Sequence, residues 1–420
     1  MSAVSSNRRQ FLAQCAAFGV GLSWTACRGL GQAPILEGKL EKLFFNSQGR
    51  TALINADGSG LRSFDFNVPD QVTWQPGPFL SDGRRMIFLS MEARRDGPGR
   101  PFNEYYHQTP THLWLYDIES DSLTEICTRE RLAVFYTPAL LLSDERILVQ
   151  VVRDSGGQIF SMNFDGSDAH EFTRLGEGLP YGLTLSPDGE RVAYHLASPQ
   201  GYQIWTSRSD GSDRVRVAAN PDHLYFGPKW SPDGRWLLFQ ACRYKTDTGH
   251  DWSDLCIVHP DGSDFRMLTE GQAMWFGASY GHPENRGGGS NMAEWTRDGQ
   301  ILFPRRLPNS KVPWEFQPLR PDTDHFNRDY KPKLAQGGTE VCRLNPNDGT
   351  LERLTQCDPP VWDFRISESP SGKQIVFCRA KTGGMPELFV MGFDGGTPRL
   401  LTSGFERRGA DHPRWLPVLT

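Results

Sequence analysis

What most narrows the folds open to this chain is a turn that keeps returning. Ser186-Pro187-Asp188-Gly189 leads into the apolar run Val192 to Tyr194, and Ser231-Pro232-Asp233-Gly234 leads into Trp236 to Phe239. Reduced copies stand at Leu80-Ser81-Asp82-Gly83, Leu142-Ser143-Asp144-Glu145, Trp295-Thr296-Arg297-Asp298-Gly299 and Ser369-Pro370-Ser371-Gly372. Proline presets φ, serine and aspartate side chains accept backbone N–H groups, and glycine takes the left-handed conformation. Each copy therefore specifies a tight turn between two strands.

A second turn follows each third strand, at Asn55 to Gly58, Asn163 to Gly166, Ser209 to Gly211, His259 to Gly262 and Gly392 to Gly395. A recurrence of about 43 residues with four strands per repeat is the length of a propeller blade. The first repeat begins at Lys42 with no inner strand, whereas the chain ends on an inner-strand pattern, Asp411-His412-Pro413-Arg414-Trp415, with no blade. The sequence thus predicts an all-β, seven-bladed β-propeller over 34–420, closed by the C-terminal strand completing blade one. The expected blades are 40–68 plus the tail, 71–130, 133–176, 179–219, 223–272, 274–357 and 361–405.

Residues 1–33 read as an export leader. Arg8-Arg9-Gln10-Phe11-Leu12 ahead of the apolar stretch Ala13 to Ala26 resembles a twin-arginine signal, with an ordinary secretory signal as the alternative. The mature chain is then expected in the periplasm or cell envelope, with Cys27 a candidate for lipid attachment. Among the 8 cysteines, Cys127, Cys242, Cys256, Cys342, Cys357 and Cys378 lie beyond the leader. They fit either disulfides, with a Cys242–Cys256 cross-strand bridge as one option, or small buried hydrophobes. A formal net charge of −5 gives no pull toward nucleic acid. No apolar run reaches the roughly 18 residues of a membrane-spanning helix.

Strand direction alternates within a blade, so all the short Asp-Gly turns fall at one end. The long segments 92–112, 243–254, 275–290 and 305–339 fall at the other, where function is expected. The Ser-Pro-Asp-Gly copies, with an aromatic before the turn and an apolar strand after it, resemble the repeats of the TolB-like propeller family. A weaker similarity is to propellers of the oligogalacturonate lyase type, carried by His412 in Asp411-His412-Pro413 and by Glu294 beside Trp295. That second resemblance implies a divalent metal as cofactor and an acidic sugar as substrate. Prolyl-oligopeptidase relatives carry a G-x-S-x-G nucleophile elbow between a strand and a helix. Gly277, Ser279 and Gly281 match its letters without that context.

Registering the repeats on their turns places Gln75, Pro138, Tyr181, Phe226, Asn291, Phe364 and Asp411 in one column near the channel mouth, flanked by Trp74, Tyr136, Tyr225, Trp362, Asp363 and His412. These residues form either an aromatic collar for a sugar ring or a plug of the channel. The second strands end in cations: Arg94 and Arg95, Arg153, Arg243 and Lys245, Arg305 and Arg306, Arg379 and Lys381. They favour an anionic partner, an acidic glycan or an envelope protein, unless neighbouring acids cancel them. Two functions remain open. One is ligand binding through Trp74, Tyr136, Tyr225, Phe226, Asn291, Glu294, Asp363 and Arg379. The other is uronate β-elimination, with His195 and Tyr181 as base and acid and Arg243 as carboxylate clamp. A metal, if held, falls to His223, His282, Asp411 and His412.

Overall fold

A computed structural model describes residues 40–47, 50–64, 71–74, 78–92, 110–132, 140–153, 156–198, 201–243, 252–274, 292–311, 314–316, 328–330, 335–358, 361–382, 384–404 and 409–417. The leader, Tyr136, His282 and Asn291 lie outside them. The described residues form strands and turns with no α-helix, and no helix among them is long and apolar enough to cross a membrane.

Consecutive strands pair antiparallel in groups. One runs Gln71–Trp74, Arg85–Glu92, Thr111–Asp117 and Ser122–Ile126; another runs His223–Trp230, Leu237–Arg243, Trp252–Val258 and Arg266–Met267. From Leu179 onward the groups join into one hydrogen-bonded run of 17 strands through bridges such as Tyr202 with Leu224 and Thr339 with Trp362. At the N-terminal end, Lys42–Ser47, Arg50–Asn55 and Arg62–Phe64 gain their fourth strand from Asp411–Trp415, which pairs with Lys42–Ser47. The expected tail-to-head pairing is therefore present.

The recurring turn folds as its residues dictate. Ser186 Oγ donates to Asp188 Oδ1 at 2.5 Å and accepts the N–H of Arg191 at 2.9 Å, while Gly189 sits at φ 75°. Ser231 and Asp233 repeat the arrangement at 2.6 Å. In the second turns, Asp57, Asp165, Asp210 and Asp261 each accept the N–H of a serine two residues on, at 2.8–2.9 Å. The same serine hydroxyls hold these carboxyls below the usual range. Turns of different groups are also tied together, as Ser81 N–H to Asp144, Arg297 N–H to Glu368 and Ser371 N–H to Glu41 show at 2.7–2.8 Å.

The core lies between groups. Leu237, Phe239 and Ala241 pack with Ala193, Ile204 and Val217 of the preceding group, while Leu238, Leu255 and Ile257 pack with Ile301, Phe303 and Cys342 of the next. Alternate side chains of one strand thus serve two interfaces, which is why these strands read as unbroken apolar runs. All six described cysteines are free thiols. A Cys242–Cys256 bridge is excluded by register, which sets Cys242 opposite Ser253 and Cys256 opposite Phe239.

Candidate functional site

Register explains which end of the sheets carries variable chemistry. Leu237 pairs with Val258 beside the two tight turns, whereas Cys242 pairs with Ser253 at the far end, where the chain leaves for residues 244–251. Met91 with Thr111 and Arg306 with Thr339 mark the same far end in two other groups.

Near that end the inner strands share a distortion that the sequence column anticipates only in part. After Tyr181, Phe226 and Phe364 the register slips by one residue against the neighbouring strand, and the strand Asp411–Trp415 slips likewise after Asp411. Each bulge puts the next residue in the left-handed region: Gly182 at φ 59°, Gly227 at 52°, Arg365 at 51° and His412 at 55°. Glycine takes this conformation at no steric cost; a side chain there costs about 1–2 kcal/mol. Arg365 and His412 bear that cost and meet. The Arg365 guanidinium donates to His412 Nδ1 at 3.0 Å and pairs with the carboxylate of Asp411, which also accepts the thiol proton of Cys378 at 3.4 Å. Burial, reinforced by Arg365, holds His412 below its ordinary pKa, and Arg365 and His412 overcome burial to hold Asp411 well below the carboxylate range. Arg365 escapes a reading based on residue type; its signal is its place one step after the aligned column.

Tyr181 and His195 face each other across adjacent strands as expected, with ring centroids 4.9 Å apart and 11° between planes. Both are interior, 2% and 5% exposed. His195 Nδ1 accepts the backbone N–H of Gly227 at 3.1 Å, so neutral His195 carries its proton on Nε2 and offers a donor rather than a base. Arg243 is paired through its backbone to His223, and its side chain, like that of Trp74, falls outside the description.

Several residues expected to face a ligand are turned to other work. Tyr225 and Phe226 are 4% and 2% exposed: Tyr225 packs edge-on against Phe239, and Phe226 against His195 and Tyr202. Burial pushes the Tyr225 hydroxyl up to about 12. These rings fasten neighbouring groups and present no open face to a sugar. Asp363 and Arg379, opposite each other in register, form a fork with bonds of 2.6 and 2.8 Å over a fully buried carboxylate that also receives Thr355 and Cys357. Glu294 pairs with Lys229 at 3.2 Å.

A metal fits poorly with what is described. His223 stacks on Tyr225, Asp411 and His412 are engaged by a guanidinium, and no group of three or more His, Cys, Asp or Glu among the described residues is placed to hold an ion.

No family model matches the chain, and no curated protein matches it. Solved structures do. A puromycin hydrolase variant in complex aligns with 87% of this chain and 54% of its own at 14% identity and a TM-score of 0.51. An oligogalacturonate lyase in complex with manganese aligns over 86% and 85% at 13% identity and a TM-score of 0.47. TolB from Acinetobacter baumannii aligns over 80% and 83% at 13% identity and a TM-score of 0.41. The β-propeller domain of a protease from Pyrococcus furiosus is also among the matches. This chain is thus similar in structure to TolB proteins, to an oligogalacturonate lyase and to other propellers, at low sequence identity.

Proposed function

We propose that this chain is an exported, TolB-like propeller of seven blades, closed by its last strand, that binds an acidic glycan or an envelope protein at the end from which its long segments leave. Apolar clusters that bridge neighbouring groups support the closure, one of them uniting Val376, Leu388 and Val390 with Leu43, Ile54 and Trp415. The observation that carries the functional reading is the inequality of the two ends. One end is fastened by serine–aspartate turns bonded to one another, and the strands bearing Arg305, Arg306, Arg379 and Lys381 reach the other.

The second reading, a lyase cleaving uronate chains by β-elimination, draws on the stacked Tyr181–His195 pair. The burial of that pair and the proton on His195 Nε2 favour binding over chemistry. Titration of the mature chain with oligogalacturonate and alginate fragments, read by calorimetry and by the absorbance of unsaturated uronates, separates the two. Saturable heat without new absorbance is the expected result. Absorbance that grows with time, and is lost in Tyr181→Phe and His195→Ala, would establish the lyase instead, and the absence of both signals would remove the glycan.

A further inference from the structure

Arg306 ends the strand Ile301–Arg306 opposite Thr339, at the end where the long segments leave. Its guanidinium lies 5.0 Å over the ring of Trp252, and Trp252 stacks on Trp362 with centroids 6.4 Å apart and 12° between planes. The tryptophans are 5% and 0% exposed, and Trp362 is fixed by donation from its Nε1–H to Thr382 Oγ1 at 2.7 Å. Three strands that are far apart in sequence thus build a rigid support under one cation.

Among the described residues that cation is not answered by an acid. Among its neighbours at this end, Arg305 approaches Glu340 at 3.5 Å, Arg379 is forked onto Asp363, and Lys381 stands exposed in water. Arg306 is half-buried, and no carboxylate among the described residues pairs with it; burial alone acts on it, lowering its pKa. Taking a guanidinium out of water without a counter-charge is unfavourable, and lying on an indole returns only about 0.5–2 kcal/mol. A bound anion completes such a site. A planar fork grips a carboxylate through two parallel charge-assisted bonds, and a uronate chain supplies one carboxylate per ring.

We propose that Arg306, held on the Trp252–Trp362 stack, anchors the carboxylate of an acidic sugar. This rests on the glycan-binding reading and narrows it. The test compares wild type with Arg306→Gln and Arg306→Lys, using oligogalacturonate, its fully methyl-esterified form and a neutral cello-oligosaccharide as probes. Wild type is expected to bind the free acid at least about tenfold more tightly than the ester, as loss of a charge-assisted hydrogen bond implies. Arg306→Gln should erase that ratio with the melting temperature kept, and Arg306→Lys should restore part of it. Added salt should shrink the wild-type ratio, a readout that stands even if the variants fold poorly. Equal binding of acid and ester, or an unchanged ratio in a folded Arg306→Gln protein, overturns this anchor while leaving glycan binding intact. Binding of none of the probes overturns both.

Discussion

Asp363 and Arg379 show how a side chain acquires its role from register. Sixteen residues separate them in sequence, and each alone reads as a group for a ligand; the pairing of Val361–Glu368 with Gln374–Lys381 turns one onto the other. With Asp363 fully buried, Asp363→Asn leaves a guanidinium facing an amide, and also weakens the anchorage of Thr355 and Cys357. Breaking one side of a buried pair costs about 3 kcal/mol or more. Urea denaturation of Asp363→Asn should show a loss of that order, and a midpoint equal to wild type would mean that the pair is not formed. What the sequence reveals at this scale is chemistry that stays local, such as the Ser-Pro-Asp-Gly turns. Contacts that depend on which residues face each other do not show in it.

At the scale of single strands, the shared bulge is the instructive element. The aligned column of Tyr181, Phe226, Phe364 and Asp411 is legible from spacing alone, yet the conformationally constrained position is the following one, where two strands use glycine and two use Arg365 and His412. The His412–Arg365–Asp411 contact joins the last strand to the strand Val361–Glu368, so it should make that seam sensitive to acid. His412 titrates below its ordinary 6.5 when folded. Between its folded and unfolded pKa values the unfolded chain binds more protons, so stability rises with pH there. The contribution is present above about 6.5 and is lost as pH falls through the folded value. His412→Asn keeps a residue that tolerates the left-handed region and removes the titration. The stability difference between wild type and His412→Asn should therefore narrow as pH falls from 7.5 toward 5. A difference that stays constant with pH would contradict this assignment.

Across the whole molecule, the repeat makes the architecture legible because one turn chemistry recurs in phase, and the missing inner strand of the first repeat is matched by the surplus strand at the end. The ligand is less legible. The sequence supplies cations at strand exits, but whether each is cancelled depends on partners such as Glu340 and Asp363 that only the packed sheets bring near. Of the aromatic column, Tyr225 and Phe226 face neighbouring groups rather than solvent, a placement that residue spacing alone does not reveal. The end carrying Arg306 gathers strands of several groups, and in the proposed ring it is closure that holds those groups in place. Native-state hydrogen exchange tests it most directly, by following amides of Lys42–Ser47 and Asp411–Trp415 as denaturant is raised below the unfolding midpoint. Closure predicts that both strands are protected and open together, with the free energy of global unfolding. Rapid exchange of Asp411–Trp415 while Lys42–Ser47 and Arg50–Asn55 remain protected would contradict it.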